Sequence, residues 1–152
     1  MKMNHNHYRH LLIMAVLSFI SMYIFMYAMV DVFDNVFYNI NQFYMAGLMT
    51  APMVIIELAV MGAMYENKRL NAVIVAVSLV ALLGFFMLIR QQTAVSDKEF
   101  LRSMIPHHAS AILMCKQAPI NDPEIKELCD TIIANQQEEI DQMKAKLREL
   151  EK

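Results

Sequence analysis

The sequence has no tryptophan, only three glycines and only two cysteines in 152 residues. Two cysteines allow one disulfide or one shared metal site, which excludes a disulfide-rich scaffold. The sequence also lacks a glycine-rich phosphate loop, a nucleophile elbow and an HExxH zinc motif. The net charge of -2 comes without any basic run that would bind nucleic acid. We therefore expect neither an enzyme nor a nucleic-acid-binding protein.

What the chain has instead is apolar sequence, which makes up 57% of it and is concentrated in three long segments. These segments are 11–30, 43–65 and 72–89, and the first and third contain no charged residue. Each is long enough, at the helical rise, to cross the hydrocarbon core of a bilayer. A cleaved signal peptide would have a shorter apolar region ending at small residues, so we expect the first helix to remain uncleaved. The sequence thus predicts a three-helix transmembrane region over 11–92.

Lysine and arginine are unevenly distributed around these segments. Lys2 and Arg9 precede the first segment, the loop after it has neither residue type, and Lys68 and Arg69 separate the second segment from the third. The positive-inside rule therefore predicts that the tail 1–10 is cytoplasmic and that the C-terminal region is extracytoplasmic. In a bacterium these locations correspond to a multi-pass protein of the inner membrane with a periplasmic domain.

The region 96–152 has the pattern of two helices joined by a short turn. Ser96 and Glu99 fit a capping box, in which we expect the Glu99 side chain to reach back to the start of the helix. Asp122 followed by Pro123 is typical of the start of a second helix. The sequence therefore predicts a helical hairpin that follows the membrane region.

Apolar or potentially metal-binding residues recur in the first of these helices with spacings of three and four. One series is Phe100, Met104, His107, Ala111, Met114 and Ala118, and the other is Leu101, Met104, His108, Ala111, Cys115 and Ala118. Two such series predict an inward face that is broader than a two-helix contact needs. About fifty residues are also too few for a stable core, so we expect a second copy to complete a four-helix bundle.

Side chains that bind soft metal ions are concentrated in the same helix. Met104, His107, His108, Met114 and Cys115 lie within twelve residues. Thioether, imidazole and thiolate groups suit Cu(I) or Ag(I). Adjacent rings on a helix point about 100° apart, so we expect each histidine to pair with a methionine or cysteine along the helix rather than with the other histidine. The alternative is that the methionines fill the core and the histidines are hydrogen-bonded core residues.

The two cysteines, Cys115 and Cys129, have three interpretations. They are buried small hydrophobic residues, thiolate ligands, or the two halves of a disulfide that joins the hairpin. The turn near Ile120 places them within about one helical turn of each other. The sequence does not give the Cα separation that distinguishes a disulfide from the other two.

A row of methionines in the second apolar segment leads to an acidic residue. Met45, Met49 and Met53 are four residues apart, and Glu57 continues the row near the middle of the predicted span. One hypothesis is a path for a soft cation, and the other is ordinary packing of methionine between spans. An ionisable group at that depth is costly, so we expect Glu57 to face a partner, a cavity or an oligomer axis.

Two groups of residues carry a resemblance to a known family. The first runs from Asp97 through Met104-Ile105-Pro106-His107-His108 to Met114, and the second from Glu124 through Gln136 and Glu139-Ile140 to Met143. Together they resemble the bacterial domain of unknown function numbered 305 over residues 97–147. The resemblance implies a ferritin-like helical fold, an exported location and an association with copper or silver. It implies a ligand set of Met104, His107, His108, Met114 and Met143.

These observations together predict an all-α protein with three transmembrane helices and a hairpin that forms half of a ferritin-like four-helix bundle. We expect it to present a His/Met site for Cu(I) or Ag(I), for buffering, relay or tolerance of the metal. The expected partners are membrane lipid, the metal ion and further copies of the chain, as a homodimer or a higher homo-oligomer. The alternative is a structural module that oligomerises the membrane helices or docks a partner without metal.

Overall fold

The computed structural model describes residues 5–152, and its regular secondary structure is entirely helical over that range. The α-helices are α1 His5–Phe25, α2 Ile40–Val60, α3 Lys68–Gln91, α4 Asp97–Gln117 and α5 Pro123–Leu150. Two short 3₁₀ helices, Met26–Met29 and Phe33–Asn35, lie between α1 and α2. The predicted all-α class, with three apolar helices followed by a helical hairpin, is confirmed.

Three helical segments are long and apolar enough to cross a membrane. They are Asn6–Met29, Ile40–Val60 and Lys68–Gln91. Their ends differ from the predicted ones, because α1 already begins at His5 and takes in residues 5–10 of the predicted tail. Residues 1–4 of that tail lie outside the described residues. The second helix ends at Val60 rather than at residue 65, because a turn occupies residues 61–64.

The first compact unit contains Met1–Phe25 and Asn41–Thr93. Within its described part, Leu11, Leu58 and Tyr65 form a buried cluster. Apolar helices approach closely where one of them has a small residue. Gly47 of α2 is such a position, because a Cβ there would collide with the ring of Phe85.

Hydrogen bonds join the helices of this unit at both ends. At one end the Tyr8 hydroxyl donates to Oδ1 of Asn71 at 2.8 Å and accepts from the Asn67 amide at 3.2 Å. At the other end the side-chain amides of Asn41 and Gln92 pair at 3.1 and 3.2 Å. Thus the start of α1 and the turn before α3 lie at the same end of the unit.

The second unit contains Ala94–Lys152 together with Met26–Ile40, the segment between α1 and α2. Its buried core consists of side chains from both helices of the hairpin, namely Ile105, Ala109, Ile112, Ile140 and Leu147. Val30 and Phe37 pack against this core from the preceding segment. The sequence analysis did not predict this contact, since a contact across more than fifty residues leaves no local pattern.

The caps of the hairpin follow the predicted pattern with one difference. The Ser96 hydroxyl accepts from the Glu99 amide, and the Asp122 carboxylate accepts from the amides of Glu124 and Ile125. The Glu99 carboxylate does not complete a capping box. Its Oε2 accepts instead from the Ile40 amide at 2.9 Å, so it binds the first residue of α2.

Candidate metal centre

The core face of α4 is formed by Ile105, Ala109 and Ile112, which belong to neither predicted series, and Leu101 packs against them. The first predicted series has only half-buried or exposed members, and we call it the α4 stripe: Phe100, Met104, His107, Ala111, Met114 and Ala118. The predicted single broad inward face is therefore divided into a face that contacts α5 and an outward stripe.

His108 lies between these two faces, and both of its ring nitrogens are hydrogen-bonded. Nδ1 is 2.9 Å from the Met104 carbonyl oxygen, and Nε2 is 2.7 Å from Oε2 of Glu139 on α5. A carbonyl only accepts, so Nδ1 must donate to it. Both ring nitrogens of His108 thus already have a partner within the chain, so a metal ion would have to displace one of them.

In contrast to His108, the side chains of His107 and of the methionines in the α4 stripe are accessible to solvent at least in part. His107 is exposed, Met104 is half-buried and Met114 is 51% exposed. Met104 and His107 are one helical turn apart, which places their Cβ atoms about 5 to 6 Å from each other. Met114 lies two turns further along the same stripe. These three side chains are thus the members of the predicted ligand set that solvent can reach.

The remaining residues of the predicted ligand set are engaged elsewhere. Met143 packs against the hairpin core. Cys115 and Cys129 form a disulfide with a Cα separation of 5.2 Å. Of the three interpretations of the cysteines, the structure shows the third, a disulfide that joins α4 to α5. Paired cysteines have no thiolate, so they are not ligands in this form.

The described residues contain no cluster of three or more His, Cys, Asp or Glu side chains that could hold an ion. The donors of the α4 stripe are one imidazole and two thioethers, which suit a soft monovalent ion such as Cu(I) or Ag(I).

Polar contacts close the open end of the hairpin. Arg102 of α4 donates to Glu151 beyond α5 at 2.7 Å and to Glu99 at 3.3 Å. The hydrogen bond with Glu151 raises the pKa of the Arg102 guanidinium, although partial burial acts in the other direction. These contacts hold the two helices together near the first turn of α4, where the α4 stripe begins at Phe100.

Glu57 lies closer to the end of its helix than the sequence predicted. It is in the last turn of α2, which ends at Val60, and not near the middle of a span. Its Oε1 accepts from the Tyr65 hydroxyl at 3.3 Å. Burial raises the pKa of Tyr65, and the negative charge of Glu57 adds to the effect. The expected partner of Glu57 is thus a tyrosine in the turn that follows the helix.

The methionine row before Glu57 faces outward in this unit. Met45 is 37% exposed and Met49 is 42% exposed, while Met53 is half-buried. Met22 of α1 contacts the other side of α2, where Thr50 donates to its sulfur at 3.7 Å. Met22 therefore contacts a part of α2 that is not in the methionine row.

Sequence reasoning missed Glu139 as a partner of His108. The available signal was its position one turn after Gln136 and next to Ile140 in the same helix. It also missed the contact of Glu99 with Ile40, for which no local signal exists.

Comparison with known proteins places the chain in a family. The model of the family described as Domain of unknown function (DUF305) matches residues 58–147, so it also takes in α3, well before the resemblance over 97–147 begins. An uncharacterized protein of Acanthamoeba polyphaga mimivirus is 31% identical over 142 residues, which are 91% of each chain. No solved structure matches the chain significantly. With more than half of its length matched and a relative similar over nearly all of it, the chain belongs to the DUF305 family.

Proposed function

We propose that this protein is a membrane-anchored, non-enzymatic binder of Cu(I) or Ag(I) that buffers or relays the metal, or confers tolerance to it. The observation that carries the proposal is the exposure of His107 and Met114 on the α4 stripe, with Met104 half-buried beside them. An exposed imidazole and an exposed thioether contribute little to the packing of one hairpin. They are also the ligands that soft ions prefer.

The division between the two histidines sharpens the assignment. His107 has an accessible ring, whereas His108 is hydrogen-bonded to Met104 and Glu139. We assign His107 and Met104 as primary ligands and Met114 as an auxiliary ligand. His108 acts through the backbone, because its bond to the Met104 carbonyl fixes the turn that carries both primary ligands.

The location that we propose is an extracytoplasmic face, with the N-terminus in the cytoplasm. The described residues contain three helices that are long and apolar enough to span a membrane. A chain that crosses three times has its first residues on one side of the membrane and α4 on the other, and the positive-inside rule puts the first residues in the cytoplasm. A disulfide between Cys115 and Cys129 is typical of an oxidising compartment. In a bacterial cell this location corresponds to the inner membrane, with the hairpin in the periplasm.

The test is a Cu(I) titration of the full-length protein in detergent against a competing chelator. We expect His107→Ala to weaken binding at least about tenfold, which corresponds to about 1.4 kcal/mol. Met104→Ile removes the thioether at similar volume and should weaken binding in the same direction.

The matched control is His10→Ala, which removes another exposed histidine outside the hairpin. We expect it to leave the affinity unchanged. If His10→Ala weakens binding and His107→Ala does not, the metal binds at the N-terminus and our assignment is wrong. Equally weak Cu(I) binding by the unmodified protein and the three variants would contradict the proposal that the protein binds metal.

A second candidate function is supported by a different observation. Ile125 and Leu128 on α5 are 48% and 56% exposed, and large exposed apolar side chains on one helix are typical of a contact surface. In this alternative the hairpin oligomerises the membrane helices or docks a protein without metal. The same titration separates the two, because a structural module should bind no Cu(I) above the level of the His107→Ala variant.

A further inference from the structure

The α4 stripe has the spacing of a coiled-coil seam. From Phe100 to Ala118 its members follow one another at intervals of four, three, four, three and four. A second helix packs along such a seam, with each side chain inserted between those of the facing helix. Phe100 and Met114, near the two ends of the seam, are each 51% exposed. The seam is therefore open in the single chain.

The charge distribution favours another copy of the same chain as the partner that packs on the α4 stripe. In a symmetric contact the same patch is used by both chains, so a charged patch would meet its own charge. The α4 stripe and its flank of Ser103, Ser110 and Gln117 contain no residue with a fixed charge, and the opposite flank has a single one, Asp97 in the first turn of the helix. The outer side of α5 has Asp130 and Glu138 one turn on either side of Ala134, and such a surface would repel its own copy.

The small core of the hairpin also favours a second copy of the chain as the partner of the α4 stripe. This buried core has five side chains, two of which come from α5. A second hairpin packed on the α4 stripe would add apolar contacts and complete a four-helix bundle around this small core.

We propose that two copies of the chain pair through their α4 stripes and share one soft ion between them. This inference rests on the proposed function, because it names the partner of the same site. Each copy supplies Met104 and His107, so the pair offers two thioethers and two imidazoles. Ala111, one turn after His107, has a small side chain at the centre of the stripe and allows the two helices to approach closely. One chain supplies two of these donors, and the pair supplies all four to the shared ion.

Cysteine cross-linking tests the pairing without metal. We expect Ala111→Cys, in full-length protein within membranes, to give a disulfide-linked dimer after mild oxidation with iodine. The two native cysteines are already bonded to each other, so they should not contribute. Ala118→Cys provides a second position on the stripe should the first variant fold poorly.

The matched control is Ala134→Cys, the same substitution at an exposed position on the charged side of α5. A dimer from the stripe variants that exceeds the dimer from this control at least about tenfold would support the pairing. Equal cross-linking at the stripe and the control, or a cross-link from the stripe to a protein of different mass, would overturn it.

Stoichiometry tests the shared site. We expect one Cu(I) per two chains, and we expect Ala111→Glu to separate the copies and weaken Cu(I) binding at least tenfold. One ion per chain, unaffected by Ala111→Glu, would overturn the shared site and leave the proposed function intact. Cross-linking at the stripe without any Cu(I) binding would overturn the metal function and the shared ion, while the seam itself would remain.

Discussion

The two adjacent histidines have different roles because a helix turns each residue by about 100° from the last. Their ring centroids are 6.0 Å apart, with His108 directed to α5 and His107 exposed. The sequence could predict that the rings diverge, since this follows from helical geometry. It could not predict which ring would face α5, because that depends on the rotation of α4 against its neighbour.

The bond between His108 and Glu139 should stabilise the hairpin. Hydrogen bonds to charged groups contribute about 1.5 to 3 kcal/mol when buried, but Glu139 is 56% exposed, so we expect a coupling free energy of about 1 kcal/mol. It can be measured by a double-mutant cycle of His108→Ala and Glu139→Ala, using hydrogen exchange of the α5 amides. The neighbouring pair His108→Ala and Glu138→Ala should show no coupling, and equal coupling in both cycles would contradict the assigned contact.

At the scale of single elements, the start signals of the hairpin helices are local and were predictable. Asp122 accepts from two amides at 2.9 and 3.1 Å, and Pro123 occupies the first turn. The end of α2 was not predictable in the same way, because the apolar sequence continues to residue 65 while the helix stops at Val60. Composition thus identifies an apolar segment but not the residue at which it leaves the helix.

Asp122→Ala should destabilise the first turn of α5 by about 1 kcal/mol, because the amides of Glu124 and Ile125 lose their acceptor. Hydrogen exchange of the amides in that turn should then become about fivefold faster, while the last turns of α5 stay unchanged. Asp130→Ala is the matched control, since Asp130 is exposed within the same helix and caps nothing. A similar effect of both substitutions would show that charge, and not capping, is responsible.

At the scale of the whole molecule, the second unit is assembled from two separate parts of the chain. The Tyr27 hydroxyl donates to the Phe37 carbonyl at 2.7 Å and holds the segment between α1 and α2 in a compact loop. Val30 and Phe37 of this loop pack on the hairpin core, and Glu99 of α4 binds the Ile40 amide. Periodicity within the hairpin gave its helices and turn. It gave no information on the loop, because the contacts join residues about sixty positions apart.

Phe37→Ala should therefore destabilise the hairpin although the residue lies outside it. Removing a half-buried ring should lower the free energy of unfolding of this unit by about 0.8 to 1.5 kcal/mol, which is half of the value for a fully buried ring. Hydrogen exchange of the α4 amides around Ile105 would report the change in the full-length protein. Phe33→Ala is the matched control, because Phe33 is 87% exposed and should have little effect. Equal exchange in the two variants would mean that the loop does not support the hairpin.

The two-part second unit also constrains biosynthesis. Residue 40 leaves the ribosome more than fifty residues before α4 begins, and α2 and α3 are made in the interval. At about 5 to 20 residues per second, roughly 3 to 11 seconds pass between the synthesis of residue 40 and the start of α4, and Val30 and Phe37 stay uncovered for at least that long. The core of the hairpin is complete only when α5 has been synthesised as well. A loop that is synthesised before α2 is thus sheltered by helices that are synthesised after α3.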